Sequence, residues 1–329
     1  MKIQFLIPQY EETDSIIKTL LDSIALQQNV SMDDIGVIIC NDGSNTFLSD
    51  ELLGSYPFAI EYHKEPHRGV SATRNACLDY ATADYVMFCD ADDMFCNVMG
   101  LWFVFREIED NDGFDSLVSV FIEEIREPDT QKPNYINREM DSTFVHGKVH
   151  KRQYLIDKGI RWNDNLTIHE DSYFNTLCQN LSENVKYCQV PFYMWKWRDD
   201  SVCRHDPKYI LKTYNNMLDS NDALVTEFIR RDMKDKAMFF AVSMIFDAYY
   251  TMNKDEWISQ ENQEYRNATE RRFADYYEKY KHFWQEIPVN DKMVMSNQIR
   301  SRSVMEGMKM EAITIDAWLE HEEKEFKKG

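Results

Sequence analysis

The sequence has no glycine-rich phosphate loop after its first apolar run, no C-x-x-C pair, no long hydrophobic stretch and no surplus of basic charge. Each absence narrows the function. Thirty-seven basic against 57 acidic residues leave a formal charge of −20. Such a field repels phosphate backbones, which argues against broad nucleic-acid binding but not against a local basic cleft. Most of that charge reads as a solvated acidic surface. The seven cysteines are an odd number, and Cys40, Cys77, Cys89 and Cys178 sit inside apolar runs. They read as reduced core thiols, not as a disulfide frame or a zinc site. No segment approaches the roughly 18 apolar residues that a bilayer span requires. Lys2 leads directly into the strand-like run Ile3-Gln4-Phe5-Leu6-Ile7, with neither an apolar h-region nor a cleavage site. A cytoplasmic protein is therefore expected, with peripheral contact at the inner membrane face left open. Internal repeats and low-complexity tracts are absent as well.

What is present suffices for a globular fold. The chain has 329 residues, 43% of them hydrophobic and 13% aromatic, enough to offset the entropy of ordering a core; this length suggests about two domains. Ile3 to Pro8 reads as a short strand. Ile16, Ile17, Leu20, Leu21 and Ile24 have helical spacing within 13–28, with Thr13 or Asp14 as a cap. Ile35 to Cys40 is a second strand and Ala59 to His63 a weaker third. Gly69 to Ala81 reads as a helix with Ser71 as its cap, and Tyr85 to Cys89 as a strand. Strands alternating with helices predict a mostly parallel α/β sheet with helices on both faces. From Asp115 the pattern loosens into a long strand over 116–125, a polar connection over 127–141, and short elements over 145–159, 166–181 and 185–197. Helical spacing then dominates in 209–229, 237–252, 256–283 and 311–327. The expected division is 1–206, with halves 1–115 and 116–206, followed by a helical region 207–329. Met238, Phe239, Val242, Ile245, Phe246 and Tyr249 read as core of that region or as a dimer face, which leaves room for a homo-oligomer.

Chemistry concentrates where strands end. In an open α/β sheet, ligands bind beyond the carboxyl ends of the strands. Asp90-Ala91-Asp92-Asp93 follows an apolar strand, and stacked carboxylates repel one another unless a cation joins them. Hard oxygen ligands suit Mg²⁺ or Mn²⁺, which bridge the phosphates of a nucleotide diphosphate. An acidic turn capping a helix is the plainer alternative. The second strand ends in Asn41-Asp42-Gly43-Ser44, where Asp42 can accept from a base N–H and Gly43 permits a tight turn. The first ends in Pro8-Gln9-Tyr10-Glu11, where Tyr10 can lie against a nucleobase. Arg74, early in the helix after Arg68-Gly69-Val70-Ser71, can reach the carboxylates of Asp42 or Asp90.

These four segments, in this order and spacing, resemble the family 2 glycosyltransferases. The resemblance implies the GT-A fold, a Rossmann-like nucleotide-binding domain with an acceptor region on its C-terminal half. It also implies an inverting transferase that uses a nucleotide diphosphate sugar, commonly a UDP-sugar, with divalent Mn²⁺ or Mg²⁺, and a glycan or glycoconjugate acceptor. His146-Gly147-Lys148-Val149-His150-Lys151-Arg152 and Gly159-Ile160-Arg161-Trp162 look like the segments preceding the family's acceptor site. Ile168-His169-Glu170-Asp171 resembles its E-D motif, which makes Asp171 the general base. A carboxylate there takes the proton of an acceptor hydroxyl that is otherwise a poor nucleophile. Trp195-Lys196-Trp197-Arg198 and Ser201-Val202-Cys203-Arg204-His205 look like the closing segment over the diphosphate.

Carried over residue by residue, the resemblance implies donor contacts from Pro8, Tyr10, Glu11, Asp42, Arg74, Asp90, Ala91, Arg198 and Ser201. It implies metal contacts from Asp92, Asp90 and His205. The chain departs from the pattern at Asn41, where a second acid is usual, and at Thr73, where a smaller residue is usual. The resemblance spans about 1–206 and leaves the helical region unexplained. Three alternatives stay open: a nucleotidyltransferase, which the missing glycine-rich loop disfavours, a donor-binding module without turnover, and a transferase acting on a nucleic-acid base or other acceptor. For an anionic acceptor, Lys148, His150, Lys151 and Arg152 form the available basic cluster.

Overall fold

The computed structural model describes residues 1–110, 112–127, 130–139, 141, 143–199, 209–259, 262–307 and 314–326. It divides into two compact units, Met1–Val202 and Cys203–Gly329.

In the first unit the strands are β1 (Ile3–Gln9), β2 (Ile35–Asp42), β3 (Ala59–Glu65), β4 (Tyr85–Phe88), β5 (Met94–Phe95), β6 (Ser116–Arg126), β7 (Pro133–Arg138), β8 (Lys148–Lys151) and β9 (Val185–Trp195). The helices are α1 (Asp14–Ala25), α2 (Asp50–Leu53), α3 (Val70–Tyr80), α4 (Gly100–Asp110), α5 (Arg152–Asp157) and α6 (Glu170–Leu181). The strands form one sheet in the order β3-β2-β1-β4-β8-β6-β9-β5, with β7 on β6. Strands β3, β2, β1 and β4 are parallel, as the sequence pattern predicts. Beyond β4 the sheet becomes mixed: β8 joins β4 and β6 antiparallel, while β6 and β9 run parallel.

Register explains the site. Ile3 pairs with both Ile35 and Tyr85, so β1, β2 and β4 start level and their polar ends open on the same edge of the sheet. β2 is buried along its whole length, as a central parallel strand covered on both faces must be. On one face Ile17, Leu20, Leu21 and Ile24 of α1 join Phe5, Ile7, Val37 and Ile39 in the core. α3 packs on β1 and β2. Every residue from Ser71 to Leu78 is buried, so the arginine in its middle cannot be a surface residue.

Local expectations need four corrections. Ser71 does not cap α3, whose N-cap is Gly69; its hydroxyl instead donates to Leu166 O at 3.1 Å. Thr13 stands at the N-cap of α1 but makes no side-chain cap bond there, and Asp14 is engaged elsewhere, its carboxylate accepting from Ser49 N and Oγ at 3.0 and 2.5 Å. The polar connection over 127–141 contains β7, paired with β6. The supposed basic cluster is half internal: Lys148 and His150 are each 1% exposed.

The second unit contains α7 (Tyr209–Lys212), α8 (Tyr214–Arg230), α9 (Lys234–Met252), α10 (Asp255–Ile258), α11 (Gln263–Glu286), α12 (Val289–Met305) and α13 (Ile315–Phe326). α8, α9 and α11 pack on one another around Tyr214, Phe228, Ile245, Tyr276 and Tyr280. Val242, Ile245 and Tyr249 are core residues, whereas Phe239 faces solvent. α12 has no counterpart among the expected helices; its apolar residues follow no helical stripe, and Val289, Met293, Val294, Val304 and Met305 are exposed.

Candidate active site

Asp42, the last residue of β2, is buried, and its two oxygens accept from the backbone N–H groups of Arg68 at 2.8 Å and Gly69 at 3.0 Å. It thereby fixes the turn into α3. The His67 ring nitrogen lies 3.0 Å from an Asp42 carboxylate oxygen, and the ring tilts against Tyr10 with centroids 4.8 Å apart. Gly43 is required at this crossing. Its φ is +71°, and a Cβ there would meet the backbone N of His67 at 2.4 Å. Asn41 ties the same loop from inside, donating to Thr46 O at 2.9 Å and accepting from Ser44 N at 2.8 Å. Tyr10 and Glu11 are exposed beyond β1, and Pro8 pairs in register with Cys40.

Arg74 is the hub. Its guanidinium donates to Asp90 Oδ1 at 2.8 Å and to Glu170 Oε1 at 3.0 Å, and it lies over the Trp162 ring at 4.4 Å. Burial opposes its charge, but Asp90, Glu170 and Asp171 outweigh that and keep it protonated. For Asp90 the balance is similar: burial pushes the carboxyl up, and Arg74 with His146 brings it below the ordinary value. One buried cation therefore links the strand-end acids to the start of α6. Of the two carboxylates expected within its reach, Arg74 binds Asp90; Asp42 is satisfied by backbone N–H groups.

The remaining acids of the strand end differ sharply. Asp92 is 24% exposed and faces Arg198 at 3.2 Å, which also reaches Glu12 at 3.3 Å. Burial and the charge of Asp90 push the Asp92 carboxyl up against the pull of Arg198. Such crowded anions are what a divalent cation relieves. Asp93 is fully buried, and its oxygens accept from Tyr193 OH at 2.8 Å and Lys196 N at 2.9 Å. Ligand-type atoms of Asp90, Asp93 and His146 lie within 4.8 Å of one another. However, burial drives the Asp93 carboxyl well above its ordinary range, with the charges of Asp92 and Asp90 adding to the shift. His146 stacks against Tyr193 and Trp195. These two side chains also brace the strand end.

Asp171 opens α6 after His169, which stands in the left-handed conformation at φ +61°. Its carboxylate accepts from Ser172 N at 2.8 Å. Burial, reinforced by the neighbouring charge of Glu170, pushes it up to about 7. That value suits a group that must accept a proton near neutrality.

The fold thus brings Arg74, Asp90 and Glu170 into contact, sets Arg198 on Asp92, and places Ala91 buried between the two acids. Ser201 and His205 lie outside the described residues. Two participants escaped the sequence reading. Glu12, not its neighbour Glu11, meets Arg198; a loop position beyond the end of a strand gives no signal of facing. Glu170 was read only as part of a motif, and its pairing spans 96 residues of sequence.

A mixed α/β sheet with polar turns at its parallel strand ends and a second acidic set on a following helix is the GT-A architecture. Residues 5–96 match the model described as "Glycosyl transferase family 2". It is 27% identical over 227 residues to "Glycosyltransferase GlyA" of Streptococcus pneumoniae, covering 62% of this chain and 32% of that protein. It is 26% identical over 245 residues to "Minor teichoic acid biosynthesis protein GgaB" of Bacillus subtilis, covering 68% of this chain and 26% of that protein. The chain therefore spans a third or less of the length of these relatives. Among solved structures, S. aureus TarS 1-349 in complex with UDP-GlcNAc matches with a TM-score of 0.64 at 16% identity, over 85% of this chain and 82% of that one. A mannosyltransferase from Pyrobaculum calidifontis, in complex with GDP-Man and Mn²⁺, matches with a TM-score of 0.51 at 13% identity, over 98% and 84%.

Proposed function

We propose that the first unit is an inverting, metal-dependent transferase. It moves a sugar from a nucleotide diphosphate sugar, with a UDP-sugar the first choice, to a hydroxyl of a glycan or glycoconjugate. The observation that carries this reading is the Arg74 bridge, which ties the acidic strand end at Asp90 to Glu170, next to the Asp171 carboxyl that burial pushes up to about 7.

In this reading Tyr10, tilted against His67, offers an aromatic face to the nucleobase, and Asp42 holds the turn that borders it. Asp92 with Asp90 would hold the divalent cation, which would supply charge neutralisation on the departing diphosphate. Arg198 adds a second positive charge on the same side. Asp171 accepts the proton of the acceptor hydroxyl as its oxygen attacks the anomeric carbon, and the bond to the diphosphate breaks with its electron pair on the leaving oxygen. Attack opposite the leaving group inverts the anomeric centre. The complexes of TarS with UDP-GlcNAc and of the archaeal protein with GDP-Man and Mn²⁺ support nucleotide sugars as the first donors to test.

The experiment is donor binding by calorimetry with a panel of nucleotide sugars, with and without Mn²⁺, for the wild type and Asp92→Asn. The expected result is one donor bound only with metal and lost in Asp92→Asn. If no nucleotide sugar binds under any condition, the reading fails.

A further inference from the structure

Lys148 is a buried cation that the proposed chemistry does not use. An ammonium at 1% exposure is costly unless anions and acceptors surround it. It donates to Phe144 O, which is one partner for a group with three N–H donors.

The other partners follow from the packing of α6. Asp171, Asn175 and Cys178 stand at i, i+4 and i+7, so they share one face of that helix. This face rests on β8 and the turn that precedes it. Asn175 Nδ2 donates to Thr143 O at 3.0 Å, next to the carbonyl that holds Lys148. One strand position on, His150 meets the Phe174 ring edge-on at 5.8 Å. Just beyond β8, Tyr154 OH donates to Cys178 O at 2.7 Å. Asn175 Oδ1 is buried without a hydrogen-bond partner among the described residues, a further acceptor on this face.

We infer that Lys148 is a positioning residue for the transfer: its buried ammonium, anchored on Phe144 O beneath this face of α6, favours the ionised, proton-accepting form of Asp171. The inference rests on the reading of Asp171 as general base. Lys148 exchanges no proton in the reaction and acts through the carboxylate alone.

Asp171 has charged neighbours on every side. Glu170 on its own helix and Asp90 beyond β4 disfavour its ionised form, while Arg74 from α3 favours it. From below, Lys148 interacts with Asp171, with Asp141 in the preceding connection and with Cys178 on α6. His150, beside Lys148 on β8, is held neutral, its midpoint pushed down to about 3 by burial and by Lys148. Arg74 is already shared between Asp90 and Glu170, so its pull on Asp171 is divided.

The test needs no donor. The Asp171 carboxyl carbon is followed by ¹³C NMR in aspartate-labelled full-length protein and assigned as the resonance missing from Asp171→Asn. In the wild type, where burial and the charge of Glu170 push this carboxyl up to about 7, its midpoint is expected there. In Lys148→Gln, which removes the charge and keeps an N–H donor, the midpoint is expected to rise by about one unit, a tenfold loss of the ionised form at pH 6. Lys148→Arg is expected to restore it. A midpoint in Lys148→Gln unchanged from the wild type overturns the inference.

If Lys148→Gln does not fold, the reciprocal measurement decides. The Lys148 side chain, pushed down to about 8 by burial in the wild type, is expected to titrate still lower in Asp171→Asn by about one unit, because electrostatic coupling is mutual. No change there also overturns it. Failure of the base assignment shows separately, as full transfer activity in Asp171→Asn.

Discussion

The two units carry the same charged residue types, and they use them in opposite ways. In the helical unit several ion pairs lie on helix surfaces: Lys281 with Glu278 is 32% and 62% exposed, and Arg302 with Glu306 58% and 40%. In the first unit Arg74 and Glu170 pair at 5% and 13% exposure. Water screens the first kind, whereas the second kind is desolvated and shifts the titration of its neighbours. Charge in the sequence therefore says little until burial is known. Predictions that probe the buried set should change chemistry, and those that probe the helical unit should change almost nothing.

The largest expected effect is at Asp171. Asp171→Asn keeps the shape of the site and removes the proton acceptor, so transfer should fall by about 10³-fold while donor affinity stays within about twofold. Steady-state kinetics beside calorimetry checks both. Next comes Arg74→Lys, which keeps the charge and loses the fork that spans Asp90 and Glu170. A drop of about tenfold to a hundredfold in kcat/KM is expected, and a variant with wild-type kinetics would break the view of Arg74 as the hub.

The pH dependence is tied to the same site. With Asp171 pushed up to about 7, kcat/KM should fall about tenfold per pH unit below that midpoint, since the ionised form is the base. Linkage gives the sign for stability. The native state holds this proton more tightly than the unfolded chain, whose ordinary value is 3.8. Stability from this group is thus present at low pH and is lost as pH rises through that window toward 7. Melting curves from pH 4 to pH 8 should show a shallower decline in Asp171→Asn than in the wild type.

Legibility in the sequence followed the range of the interactions. β1, β2, β4 and α3 were readable because apolar runs and helical spacing are local, and the level strand ends then follow from parallel register. The Arg74–Glu170 pair was not readable, because it joins residues 96 apart and no local pattern encodes the approach. Lys148 and His150 looked like surface charge beside Lys151 and Arg152. Only the pairing of β8 between β4 and β6 buries them. α12 was missed because its apolar residues do not form one stripe, and several of them face solvent.

Asp93 sharpens the contrast within the strand end itself. Its partners are Tyr193 OH and Lys196 N, so Asp93→Asn should disturb the support of the loop and leave the cation donors in place. A loss of about 1–3 kcal/mol in stability is expected, with Mn²⁺ affinity within about twofold of the wild type. A tenfold loss of Mn²⁺ affinity with stability intact would instead make Asp93 a ligand, and the division between bracing and binding acids would have to be redrawn.

The smallest effect is expected at Lys281, in the helical unit. Its ammonium reaches Glu278 at 2.7 Å and Glu323 at 3.7 Å, which on distance alone would rank with the Arg74 contacts. Yet these side chains are surrounded by water, and the entropy of holding a long lysine in place offsets most of the attraction. Lys281→Ala should move the melting temperature by less than about 2 °C and leave transfer unchanged. A fall several times larger would mean that distance, not burial, ranks the ion pairs of this chain, and the comparison between the two units would fail.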